Sequence, residues 1–239
     1  MGNGLSVVIS AYKRRGIENS LVLAKSIEPH VDEIFVVVND DEAADIRLQE
    51  LSGIEYIFQR NLGMNIGAWS TGLSLCDERN VVLCLQDECT IVDPHFADHY
   101  RNLLCQPDTG MVGESLNPKW DHPWSSLKKS PVNYSLKTAG AAEISRVDFY
   151  LRCMEAWGIS PGNTGAHLRA LVWGFSPTVR RKLKQLPLGT NKEQCIAAEI
   201  GVCKYVENNL FLKVSQSAAR PFSYIAHGEW DSSGWAKKQ

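Results

Sequence analysis

The run VVLCLQDECTIVDP, residues 81–94, carries an apolar strand straight into acid. Five apolar residues (81–85) are followed by Gln86, then by Asp87 and Glu88 side by side, and Pro94 ends the stretch. A strand that is apolar at every position is buried on both faces, and a parallel sheet of such strands presents its chemistry beyond their carboxyl ends. Two carboxylates at that point suit a hard divalent cation. Mg²⁺ or Mn²⁺ takes one or two carboxylates and completes its shell with water and the phosphate oxygens of a nucleotide. The competing reading of the same residues is a solvated turn after a strand.

The elements that must position these acids alternate strand and helix. SVVISAY (6–12) is expected as a strand, ENSLVLAKSI (18–27) as a helix, DEIFVVVND (32–40) as a strand, DEAADIRLQEL (41–51) as a helix and IEYIFQ (54–59) as a short strand. NLGMNIGAWSTGLSLC then turns through two glycines into a helix beginning near Ile66, which feeds the strand that ends at Asp87. Repeated βαβ units predict an α/β fold with a mostly parallel central sheet, helices on both faces and right-handed crossovers. Ligands in such sheets bind at the strand ends, here residues 10–12, 39–41 and 86–89. Residues 114–140, with Pro118, Pro123, Pro131, Trp120 and Trp124, read as a long ordered loop. Helices are expected at 145–157, 177–183 and 192–200, and strands at 166–176 and 202–207.

The chain has 239 residues, 44% hydrophobic and 22% charged, which fits one folded domain, 1–239, with halves at 1–105 and 106–239. A formal net charge of -2 leaves no basic footprint for a phosphate backbone, so nucleic acid is excluded as the main partner. No apolar run reaches the roughly 18 to 20 residues of a membrane span, and MGNGLSVVIS lacks a secretory signal's basic start; the expectation is a cytoplasmic protein with at most peripheral membrane contact. Seven scattered cysteines without a CxxC pair read as reduced core thiols.

Taken in order, VVISAYKR, the acid-closed strand VVVNDD, the Asn/Gly-rich turn into a helix and the acid-bearing strand end resemble a GT-A fold glycosyltransferase of the large family-two type. The resemblance spans residues 1–105. It implies a nucleotide-binding half there and an acceptor-binding, catalytic half at 106–239. Position by position, it puts Ala11 and Tyr12 beside the base and Asp40, or its neighbour Asp41, on the base or ribose. A carboxylate accepts two hydrogen bonds from a diol or imide edge, although either acid could instead cap the following segment. Arg60, Asn61, Gly63 and Gly67 match the turn that approaches nucleotide and sugar. Asp87 and Glu88 match the Asp-x-Asp or Asp-Asp motif, Asp87 facing ribose or metal and Glu88 the metal that bridges the diphosphate. Glu in place of the usual second Asp pushes that ligand outward by a methylene.

The resemblance further implies a Mn²⁺ or Mg²⁺ cofactor, a carboxylate general base at the start of a late helix, and in some members a late metal-binding His. KEQCIAAEIG places Glu193 at that helix start, with Glu199 six residues on and nearly opposite on the helix surface, so only one of them can face a given site. Glu193 is the expected base. His227, in YIAHGEW, is the candidate third ligand, with a structural histidine as the alternative. The implied activity is a metal-dependent, inverting transfer of a hexose from a nucleotide-diphosphate sugar to a hydroxyl of a glycan or glycolipid, as in polysaccharide biosynthesis. Two alternatives stand beside it. A sugar-phosphate nucleotidyltransferase calls for a Gly-rich basic loop after the first strand, where AYKRRG (11–16) has one Gly. A catalytically inactive binding module of a glycan-assembly complex would tolerate Glu88.

Overall fold

The first strand, β1 (Leu5–Tyr12), sends Leu5, Val7 and Ile9 into one apolar cluster and Val8 into another. That alternation belongs to a strand in the middle of a sheet covered on both sides. The computed structural model describes residues 4–43, 45–131, 133, 135–136, 144–183 and 185–230. The remaining strands are β2 (Glu33–Asp40), β3 (Arg47–Leu51), β4 (Ile54–Arg60), β5 (Val81–Gln86), β6 (Cys89–Ile91), β7 (Thr109–Gly113), β8 (Ser135–Leu136), β9 (Ile144–Ser145), β10 (Val172–Phe175), β11 (Lys213–Gln216) and β12 (Ile225–His227). Eight of them form one sheet in the order β11-β7-β10-β5-β1-β2-β4-β3. The pairs β1–β2, β1–β5, β2–β4 and β7–β11 are parallel; β10 runs antiparallel between β5 and β7, and β3 is an antiparallel edge. The expected α/β architecture with a mostly parallel central sheet is what the chain adopts.

The helices are α1 (Glu18–Ile27), α2 (Met64–Leu73), α3 (Phe96–Leu104), α4 (Trp124–Leu127), α5 (Arg146–Ala156), α6 (Pro177–Lys182) and α7 (Lys192–Lys204). Leu23 and Ile27 of α1 and Phe96, Tyr100 and Leu104 of α3 close one face of the sheet, while Ile66 and Trp69 of α2, Val179 of α6 and Ala198 and Val202 of α7 close the other. Each such aliphatic or aromatic side chain, fully buried, stabilises the fold by about 1.5–3 kcal/mol. Trp69 packs against Trp173 with ring centroids 5.2 Å apart, and its indole N–H donates to the Leu85 carbonyl at 3.0 Å. The largest side chain under β5 is therefore buried without an unpaired donor. A third cluster joins Trp120 and Trp124 to α5 and to Ala197 and Ile200, so α7 is packed on two sides. Five of the seven free cysteines are buried, four of them in these clusters. Among the described residues no helix is long and apolar enough to cross a membrane.

Two expected elements are corrected. The helix expected over 41–51 is not formed: Arg47–Leu51 is a strand, joined to β4 by Ser52 and Gly53 at φ 55° and 80°. Positive φ at both central residues makes the tight hairpin whose twist matches its strands, and the mostly exposed β3 needs little apolar patterning at the sheet edge. The strand expected over 202–207 is the end of α7 and a π-helical turn, Tyr205–Asn209. Val202 and Val206, four apart, share one buried face against Met111 and Val179, so the helical period prevails. β7 was not expected because Gly110 and Gly113 dilute its strand signal. A Cβ on Gly110 would come within 2.5 Å of Val206, so this strand trades patterning for close approach by that turn.

Candidate active site

Parallel pairing brings the ends of β1, β2 and β5 side by side: Tyr12 is in register with Asn39, Ser10 with Gln86, and the Asp87 N–H donates to the Ser10 carbonyl at 3.0 Å. Beyond these ends opens a cleft of about 290 Å³, lined by Ser10, Ala11, Tyr12, Arg15, Asn39, Asn61, Met64, Asn65, Gln86, Asp87 and Glu88. Of the residues expected from the sequence, Ala11, Tyr12, Asn61, Asp87 and Glu88 line it. Asp40, Arg60, Gly67, Glu193 and His227 do not.

Immediately after β1, a single 3-10 turn, Lys13–Arg15, presents three cations in a row. Lys13 Nζ lies 2.6 Å from Asp40, Arg14 Nε 3.2 Å from Asp41, and Arg15 pairs with Glu88 across the cleft mouth. Asp40 is only 3% exposed and also accepts from the Glu42 N–H at 3.0 Å. Lys13, then that N–H, holds its carboxyl below the usual range. Asp40 thus anchors the basic turn to β2. Asp41 accepts from the Tyr12 hydroxyl at 2.6 Å and from Asn61 at 2.9 Å, which lower its pKa and tie together two residues that line the cleft. Arg60 sits exposed at the end of β4, in register with Asp40. Gly67 serves the chain itself: a Cβ there would meet the Leu62 carbonyl oxygen at 1.6 Å. The left-handed turn before α2 belongs to Gly63 and Met64, at φ 77° and 53°, and Asn39 steadies it by donating to the Met64 carbonyl at 2.8 Å.

Burial, and then the neighbouring Glu88, pushes Asp87 up to about 6. Glu88 is held below the usual range by its hydrogen bond from His227 and by Arg15. β12 pairs with β6 and delivers His227, 1% exposed, so that Nε2 lies 3.4 Å from Glu88 and 3.2 Å from Gln86 Oε1. Glu88 and His227, both singled out in the sequence, thus meet although they lie far apart in the chain. A hard divalent cation fits the two carboxylates as donors, and their mutual repulsion favours one. His227 fits less well. Its Nδ1 accepts from the Glu229 N–H at 3.2 Å, which leaves the proton on Nε2, so the ring donates to Gln86 and toward Glu88 instead of offering them a lone pair. Among the described residues no group of three His, Cys, Asp or Glu side chains closes on one point.

Behind the cleft lies a second acid. Asn65 and Gln86 both donate to the Ala170 carbonyl at 2.6 Å, and the N–H of the same residue donates to Glu199 at 3.1 Å. Glu199 therefore stands one residue behind two side chains that line the cleft. Burial pushes it up to about 7, and His167 Nε2 is 3.7 Å away. The neighbouring Arg169 lies over the Trp230 ring at 4.0 Å. Glu193, at the other end of α7, accepts from the Tyr150 hydroxyl at 2.6 Å and from Arg146 at 3.2 Å, which ties α7 to α5. Of the two α7 acids named from the sequence, the one nearer the cleft is thus Glu199, which stands behind its lining. Arg15 and Asn65 were not singled out in advance, and Asn39 and Gln86 were expected only as members of the strand ends 39–41 and 86–89. KRR directly after a strand was the available signal for the first, whereas a lone amide at a strand end or in a turn carries none.

No family model matches the chain, and no curated protein matches it. Among solved structures, the chain is similar to the galactosyltransferase LgtC in complex with donor and acceptor sugar analogs, at 14% identity over 88% of this chain and 72% of that one, with a TM-score of 0.44. An active-site mutant of LgtC gives 13% identity over the same shares and a TM-score of 0.41. A putative glucose-1-phosphate thymidylyltransferase from Bacillus anthracis, in complex with a sucrose, gives 8% identity over 89% of this chain and 85% of that one, with a TM-score of 0.43.

Proposed function

We propose that the chain is a GT-A-type glycosyltransferase, family-two-like, that moves a hexose from a nucleotide-diphosphate sugar to a hydroxyl of a glycan or glycolipid with inversion. The observation that carries the reading is the meeting of three strand ends on one cleft lined by Asp87 and Glu88. In this reading the nucleotide lies over Ala11 and Tyr12 with its diphosphate toward the two acids. Asp87 and Glu88 would hold a Mn²⁺ or Mg²⁺, which would supply Lewis-acid stabilisation of the departing diphosphate. His227 steadies Glu88 as a donor. Glu199 takes the proton of the acceptor hydroxyl as its oxygen bonds to the anomeric carbon from the side opposite the phosphate. The bond from that carbon to the phosphate oxygen breaks, and its electron pair leaves with the nucleoside diphosphate. A carboxyl near 7 suits a base at neutral pH. Glu193 is the weaker candidate because both of its oxygens are engaged on the seam between α5 and α7. Asp121 and Glu143 stand next in line, and Glu143 lies outside the described residues.

The test is calorimetric titration of UDP, GDP, ADP, CDP and dTDP with and without Mn²⁺, followed by the matching nucleotide sugars. Metal-linked binding of one of them, with slow release of free sugar, supports the reading; no binding by any of them defeats it. Arg15 in the cleft is the observation that favours the alternative nucleotidyltransferase. That enzyme would release pyrophosphate from a nucleoside triphosphate and a sugar 1-phosphate.

A further inference from the structure

We infer that Arg15 is a diphosphate-binding residue that exchanges partners: its guanidinium leaves Glu88 for the diphosphate of the bound nucleotide, and Glu88 is thereby released toward the cation. The inference rests on the nucleotide-binding reading above and adds the residue that couples its two ligands.

The three cations of the turn after β1 are not equivalent. Lys13 is committed at 2.6 Å to an almost wholly buried acid, Asp40, whose second cation, Arg47, stands farther off at 3.7 Å. Arg14 is 71% exposed and pairs with Asp41 outside the cleft lining. Arg15 alone of the three lines the cleft, and its pair with Glu88 joins the end of β1 to the end of β5 over the opening through which a ligand must enter. Glu88 keeps a second partner in His227 when Arg15 departs, so the exchange leaves no buried charge alone. The guanidinium is largely in solvent, and an exposed ion pair of this kind is weakly held. A phosphate offers the same planar fork two charge-assisted hydrogen bonds, a stronger partner than a single carboxylate oxygen at the rim. Without such a cation the diphosphate would enter against Asp87 and Glu88, both negative at neutral pH. With Arg15 still on Glu88, a divalent ion would share that carboxylate with a competing positive charge.

The exchange makes two predictions of opposite sign for one substitution. Arg15→Ala should weaken Mn²⁺-linked binding of the nucleoside diphosphate that the wild type prefers by about 10- to 100-fold, the worth of a charge-assisted contact. The same variant should bind Mn²⁺ alone more tightly than the wild type. Arg15→Lys should fall between, and Arg14→Ala should stay within about twofold of the wild type. Isothermal titration of Mn²⁺ alone and of the nucleotide with Mn²⁺, on proteins matched by thermal melt, reads all of these. Nucleotide affinity within twofold of wild type in Arg15→Ala overturns the inference, and so does Mn²⁺ affinity that is unchanged or weaker. A wild type that binds none of the nucleoside diphosphates overturns the parent reading before any variant is made, which keeps the two failures distinct.

Discussion

Asp40, Asp41 and Glu88 each face a cation of the turn after β1, whereas Asp87 and Glu199 face no such partner and are governed mainly by the protein packed around them. The ion-paired acids lie below the usual carboxylate range, through Lys13 for Asp40, Tyr12 for Asp41 and His227 for Glu88. The other two are pushed up to about 6 and about 7. Ion pairing and hydrogen bonding keep the first set ionised and commit Asp40 and Asp41, which do not line the cleft, to architecture. Burial leaves the second set near neutral pH, where a carboxylate can take a cation or a proton. Proximity to the cleft is therefore not enough to assign a role to an acid; its partners decide.

Exchanging acid for amide at Glu199 and Asp87 should have the largest consequences. Glu199→Gln is expected to slow turnover by about 10² to 10⁴ while leaving nucleotide affinity near wild type, because the amide keeps the hydrogen bond from Ala170 but cannot accept a proton. Single-turnover rates with Glu193→Gln alongside check the assignment; a loss in Glu193→Gln with Glu199→Gln fully active would reverse it. Next in size, Asp87→Asn should weaken Mn²⁺-linked nucleotide binding by about 10- to 100-fold, as loss of a charged contact does. Calorimetry showing wild-type metal dependence would remove Asp87 from the cation site.

A pH series sharpens the comparison further. Because Glu199 has a higher pKa folded than its ordinary 4.5, the native state holds more protons than the unfolded state between about 4.5 and about 7. Its contribution to stability is fully present below that window and is lost as pH rises through it. Glu199→Gln should flatten this slope in denaturant titrations, while turnover of the wild type should climb as pH rises through about 7. An unchanged slope in the variant would mean that burial does not raise Glu199. The smallest effect belongs to the satisfied end of α7. Tyr150→Phe removes one hydrogen bond to Glu193 and should cost about 1 kcal/mol of stability with turnover unaltered. A large catalytic loss there would return Glu193 to the mechanism.

The first half of the chain was legible because its signals are local. β1, β2, β4 and β5 are apolar runs closed by polar residues, and parallel pairing of neighbouring strands puts their ends together whatever the rest of the chain does. The exception, β3, is an edge strand whose exposed side chains follow no buried face, so its helical composition misled. Asp87 and Glu88 were visible as candidates for the same local reason, and His227 was visible only as a loose match. Its place beside Glu88 depends on β12 pairing with β6, a contact that no local pattern announces. Another such contact is Glu114, buried at the end of β7. It accepts from the Tyr100 and Ser217 hydroxyls at 2.7 and 3.0 Å and from the Tyr224 N–H at 3.3 Å, and so fastens the segment that leads into β12.

By itself the sequence determined the strands that carry the acids, the parallel core of the sheet and the position of Asp87 and Glu88 at a strand end, since apolar runs must be buried and their polar ends must emerge. It placed Glu193 and Glu199 on one helix but could not orient that helix. Buried residues occur all round α7, from Cys195 and Ala197 to Ile200 and Val202, so the helix has no polar face to mark its outer side. Only tertiary structure shows which partners each acid meets. Packing against the sheet on one side and α5 on the other turns Glu193 to Tyr150 and Arg146 and brings Glu199 to Ala170 at the back of the cleft.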